Sequence, residues 1–231
     1  MSVLAMLLAD SRFPGGGHVH SGGLEEAAAR GLLRAEADLP PFLTARLRTA
    51  GLLAAVFAAA SAHAAGSPRG DGVWDVLDAE LDARTPSAAA RYASRVQGKA
   101  FARAVGVMVV PSVDGDCGST LRAVLAATPR PHHAIVLGVA AGSVAGAARV
   151  AAYLAVSGPA SAAVRLLGLD PLWVNGVVAG MVDEVEAVAG EAVRWAGCAP
   201  AELPAPSSPG LDLLAEEHER HHREEVRLFV S

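Results

Sequence analysis

Asp38-Leu39-Pro40-Pro41-Phe42-Leu43 opens a segment that runs to about Ala65, and inside it Leu52-Leu53-Ala54-Ala55-Val56-Phe57-Ala58-Ala59-Ala60 carries no polar side chain. Leu43, Leu47, Ala50, Ala54 and Phe57 recur at helical spacing. Proline is tolerated in a first helical turn, and Asp38 stands just before it as an N-cap. A helix that is apolar on every side must be covered on every side, so this segment predicts the central helix of a bundle.

Composition extends that reading to the whole chain. Hydrophobic residues make up 52% of the 231 residues but aromatics only 4%, so alanine, leucine and valine must build the core. Alanine is the best helix former, and its small side chain lets helices approach closely. The expectation is an all-α fold, one domain over residues 1–231 with about eight to ten helices, in which residues 200–210 form a proline-rich linker to a C-terminal helix and tail.

Outward from the central segment, Val3 to Leu8 predicts a short first helix. Ser21 caps a second, whose Leu24, Ala27, Ala28 and Leu32 share one face. Trp74 to Ala83 and Ser87 to Met108 predict two more. Arg91, Arg95 and Lys99 lie at i, i+4, i+8 and share a side, either a solvated face or a surface for an acidic partner. Ser119 to Ala127 is short. Gly138, Gly142 and Gly146 are spaced for tight helix contact. Ser157-Gly158-Pro159 breaks the next helix, which resumes from Ala160 to Leu167, and Asp170 caps a long one from Leu172 to Trp195. Leu211 to Leu228 closes the chain.

A net charge of −5 excludes the basic face that nucleic acid requires. Cys117 and Cys198 are too few for a disulfide framework and lack metal-ligand spacing, which fits a reduced cytoplasmic protein. The uncharged runs 131–148 and 150–164 are separated by Arg149 and interrupted by Pro159, which disfavours membrane insertion. Met1-Ser2-Val3-Leu4 has no basic region of the kind that opens a signal peptide.

The catalytic signals are weak. His218-Glu219-Arg220-His221-His222 matches the H-E-x-x-H pattern of zinc proteases. It has no downstream third ligand and stands in a segment too polar for a sheltered cleft. Phosphate-loop and nucleophile-elbow patterns are absent. A metal hydrolase using His218, Glu219 and His222, or a helical small-ligand-binding protein, are the alternative readings.

The stretch from Asp10 to Glu26 loads glycines, a proline and two histidines between apolar segments, more than a simple turn needs. Leu7-Leu8-Ala9-Asp10-Ser11-Arg12-Phe13-Pro14-Gly15-Gly16-Gly17-His18-Val19-His20-Ser21-Gly22-Gly23-Leu24-Glu25 resembles the N-terminal signature of the UreF family of urease accessory proteins. Leu81-Asp82-Ala83-Arg84 with Ala93-Ser94-Arg95-Val96-Gln97-Gly98 resembles that family's second block, and Arg227-Leu228-Phe229-Val230-Ser231 its closing one. Two departures stand out. His18 and His20 replace an aromatic that often follows the paired glycines, and Leu167-Gly168-Leu169-Asp170-Pro171 lacks the glutamines of a further block, although Arg165 is in place.

The resemblance implies an all-α, non-enzymatic accessory protein in the complex that loads nickel into urease. It implies dimerisation, joining of the UreD (or UreH) accessory protein, recruitment of the UreG GTPase and contact with the urease apoprotein. Partner contact is expected at Arg12, Pro14, Gly16, His18, His20, Ser21, Glu25, Arg84, Arg91, Ser94, Gln97, Gly98, Arg165, Arg227, Leu228, Phe229 and Ser231. No permanently bound cofactor is expected. Nickel is expected only in transit, with His18 and His20 as its contacts.

Overall fold

A computed structural model describes residues 2–15, 20–67, 72–112 and 116–228, apart from the side chains of 109–112, 116 and 223–228. The described residues are helical and contain no strand, as the composition requires. In chain order the helices are α1 (Val3–Ala9), α2 (Leu24–Ala29), α3 (Leu39–Arg46), α4 (Leu52–Ala65), α5 (Trp74–Ala83), α6 (Ala88–Ser112), α7 (Asp116–Ala127), α8 (His133–Ala140), α9 (Val144–Leu167), α10 (Pro171–Gly180), α11 (Val182–Trp195) and α12 (Pro209–Leu228).

The apolar stretch 52–60 is the centre of the bundle. In α4, Ala55, Val56, Phe57, Ala58 and Ala59 are fully buried, and α8, α9 and α11 pack around them. Two helical stretches, Glu36–Ala65 and Val144–Leu167, are long and apolar enough to cross a bilayer by length and composition. Here they pack against each other inside the bundle. Of the three spaced glycines, Gly138 alone makes the tight contact: a Cβ there would lie 2.3 Å from the Ala58 carbonyl oxygen of α4. Gly142 instead takes a positive φ of 69° in the α8–α9 turn, and Gly146 donates its N–H to the capping Ser143.

Three local expectations are corrected. Asp38 does not cap α3. The N–H groups that such a cap would accept belong to Pro40 and Pro41, which have none. Its carboxylate turns back to accept from the N–H groups of Arg34 and Ala35, at 2.8 and 2.9 Å. Pro159 does not break α9, which continues through it. Proline has no N–H for the carbonyl four residues earlier, that of Ala155. Arg46 Nε donates to that oxygen at 3.1 Å and replaces the missing bond. The helix expected from Leu172 to Trp195 is divided at Met181, where the N–H bonds to Val178 in a tight turn behind Gly180. Glycine holds a helix weakly, so the division falls beside it.

Candidate functional site: a cleft between the opening loop, α6 and α12

The second sequence block forms a joint between α5, α6 and the start of α8. Arg95 Nη2 donates to Asp78 at 2.6 Å and to Asp82 at 2.7 Å, one turn apart on α5, while its Nη1 reaches the Arg130 carbonyl. Asp78 also accepts from the His132 N–H at 3.0 Å. The His132 ring spans Asp82 at Nε2 (2.8 Å) and Ser94 Oγ at Nδ1 (2.9 Å). With Nε2 protonated, every polar atom of this ring is satisfied while neutral, and burial pushes its pKa down. Burial opposes the charge of Asp82, yet hydrogen bonds from Arg95 and His132 hold its carboxyl below the ordinary value.

Ser94, His132 and Asp82 follow the order of a hydrolase triad. Ser94, however, stands in the second turn of α6, where backbone N–H groups are used by the helix and none is left to hold an oxyanion. Asp78, Asp82 and His132 are also the group, among the described residues, with ligand atoms within 4.8 Å of one another. The cation that these carboxylates hold is the guanidinium of Arg95. Gly98 completes the joint: a Cβ would lie 2.0 Å from the Pro131 carbonyl oxygen, so only glycine lets α6 and the start of α8 meet.

The basic face expected on α6 is therefore divided. Arg95 is turned onto α5, and Arg91 Nη1 donates to the carbonyls of Thr85 and Pro86 at 2.6 and 2.9 Å. Lys99 alone of the three is exposed. Arg84 donates to the carbonyls of Leu203 and Ala201 at 3.0 Å, pairs with Glu80, and lies 5.8 Å from the Phe57 ring centroid. It fastens residues 200–203, expected as a free linker, to α5, with Leu203 buried.

Between this joint and α12 lies a cleft of about 740 Å³. It gathers several residues of the expected contact set: His20, Ser21 and Glu25 from the opening loop and α2, Ser94 and Gln97 from α6, Arg84 and Arg165. Its floor is aromatic. Phe13 and Phe101 have ring centroids 4.9 Å apart, and His133 meets Phe101 edge-on, also at 4.9 Å. Burial, and then the neighbouring His20, push His133 down to about 4. Burial, and then His218, lower His20, whose Nε2 has no hydrogen-bond partner among the described residues.

The far wall is α12. Glu216 accepts from Ser87 Oγ at 2.7 Å and from the Ala89 N–H at 3.0 Å, so α12 caps the start of α6. The bonds from Ala89 and Ser87 hold the Glu216 carboxyl below its ordinary value. Glu26 of α2, 3% exposed, pairs with Arg30 at 2.9 Å and His221 at 3.2 Å. Burial raises its pKa, and these two partners outweigh that effect. Arg30 also pairs with Glu217, and His218 stands 3.9 Å from Glu25. The H-E-x-x-H pattern thus faces α2 carboxylates, and His218 and His222 join no metal-ligand group among the described residues.

Other expected contacts lie elsewhere. Arg12 and Pro14 line a separate apolar recess of about 470 Å³ against Ala104, Val107 and Met108 of α6. Arg12 is paired with Asp10, whose carboxyl its hydrogen bonds hold near about 2. Ser21, expected as the cap of α2, stands two residues upstream of the observed cap position, Gly23, although its Oγ accepts from the Glu25 N–H at 3.3 Å. Gly16, His18, Phe229 and Ser231 lie outside the described residues, and Arg227 and Leu228 belong to α12 with side chains that are not described. Sequence reasoning missed Arg46, Asp78 and His132. An arginine at i+4 from helix carboxylates is visible within one helix, but these groups meet across elements.

With the geometry in place, the comparisons with known proteins are direct. Residues 33–182 match the UreF family. The chain is 44% identical over its full length to the full-length urease accessory protein UreF of Mycolicibacterium vanbaalenii. It is 42% identical, again over the whole of both chains, to the proteins of that name from Mycobacterium bovis BCG Pasteur and Mycobacterium tuberculosis H37Rv. On both grounds, the chain belongs to the UreF family of urease accessory proteins.

Proposed function

We propose that this chain is a non-enzymatic adaptor in urease maturation, one that joins UreD (or UreH), recruits the UreG GTPase and so enables nickel insertion into apo-urease in the cytoplasm. The observation that carries the reading, beside family membership, is the convergence of the opening loop, α6 and α12 on one cleft. Residues from distant parts of the sequence there form one face. That position supports the partner-contact role of His20, Ser21, Glu25, Gln97 and Arg165; the same role for Arg227 to Ser231 rests on the resemblance of that segment to the family's closing block. Nickel is cargo in this reading, and the Nε2 of His20, without a hydrogen-bond partner among the described residues, supports a passing contact. Homodimerisation is supported by exposed Val3, Met6 and Leu7 on α1 and Val107 on α6, since apolar side chains gathered on a surface mark interaction sites.

Urease activation in cells that supply UreD, UreG and apo-urease with or without this chain tests the proposal. Activity that depends on the chain, with UreD and UreG co-purifying with it, is expected. Equal activity without it overturns the reading.

A further inference from the structure

Arg46 ends α3 where a π-turn, Leu47–Gly51, begins. Its Nε bonds to the Ala155 carbonyl at 3.1 Å and its Nη1 to the Gly22 carbonyl at 2.7 Å. Both acceptors are neutral. Burial pushes Arg46 down to about 10, and no carboxylate among the described residues counters that. Arginine offers five N–H donors in a planar fork, of which these bonds use two. The same side chain lines the cleft. A desolvated cation whose acceptors are only neutral carbonyls is costly, because those dipoles only partly replace its water.

Next in sequence to the two acceptors of Arg46, or within two turns of them, Ser21 from the opening loop and Ser157, Gly158 and Ser161 from α9 line the same cleft with small and hydroxyl-bearing side chains. A Cβ at Gly158, three residues along α9 from the Ala155 carbonyl that Arg46 holds, would meet nothing within 4 Å, so α9 leaves open space there. We propose that Arg46 is an oxyanion-binding group and that this end of the cleft takes a carboxylate, free or on an acidic side chain of a partner polypeptide. The planar oxygens of a carboxylate match the arginine fork. The chain's charge of −5 gives no general attraction for anions, so selection is local to Arg46. The inference stands whichever proteins the chain assembles with.

Thermal unfolding of the full chain in sodium acetate, against sodium chloride of equal ionic strength, tests it. A saturable rise of about 3 °C in Tm at tenfold excess over half-saturation is expected. Gly158→Asp places a carboxylate one helical turn from Ala155 and should abolish the acetate response while melting no lower than the parent. A hexaglutamate peptide that suppresses the response assigns the carboxylate to a partner side chain; a peptide without effect assigns it to a free anion. Equal melting in acetate and chloride overturns the proposal, as does an acetate response that survives in Gly158→Asp.

Discussion

The joint between α5, α6 and α8 centres on charged and polar groups that are buried, whereas the joint between α2 and α12 carries pairs that stand in water around the one buried Glu26. Asp78 is 5% exposed and His132 1%, while the side chains of His218 and Glu25 are 48% and 50% exposed. Removing one partner from a buried charged network strands the others, and the cost is large. Exposed pairs contribute about 0–1 kcal/mol each. The first joint therefore holds the fold, and the exposed His218–Glu25 edge of the second can open at little cost. The family-like second block reads as a packing device, and the opening loop with α12 is the surface proposed for partners.

The comparison can be broken most forcefully at Asp78. Asp78→Ala should cost about 4 kcal/mol in a denaturant titration, because the His132 N–H and part of Arg95 are then left unpaired in the interior. A cost under about 1 kcal/mol would place the joint among ordinary surface pairs. Gly98→Ala should cost about 3 kcal/mol, since the new methyl meets backbone rather than a movable side chain.

Acid distinguishes the joints more finely. The His133 pKa is depressed in the folded state, so the unfolded chain binds more protons and stability rises with pH. That contribution is complete above about 6.5 and is lost as pH falls toward about 4. Between pH 7 and pH 5 the chain should lose about 2 kcal/mol through this group. His133→Phe should flatten the profile over that range, as read by melting temperature. The smallest effect belongs to the exposed joint. Glu25→Gln with His218→Gln should cost about 0.5 kcal/mol yet speed amide exchange in α12, leaving α6 unchanged.

Much of this architecture is readable from local pattern. Leu52 to Ala60 announces its burial because no side chain there tolerates water, and Trp74 to Ala83 and Ser87 onward carry unambiguous helical spacing. Pro159 misleads because its consequence is decided elsewhere, at Arg46, more than a hundred residues earlier. Asp38 misleads because the prolines that start the helix also remove the donors a cap would serve. The candidate site is only half readable for the same reason. His20, Ser21 and Glu25 stand out in a glycine-rich loop, while Asp78, His132 and Arg46 acquire meaning only when α3, α5, α8 and α9 are brought together.

Partners are proposed to engage the opening loop and α12, not the buried joint. Amide hydrogen exchange of the full chain, alone and with saturating UreD, tests it most directly. The account predicts new protection in residues 20–26 and 211–222, with residues 78–98 exchanging equally slowly in both states. Protection confined to residues 78–98, or no change anywhere on addition of UreD, would contradict it.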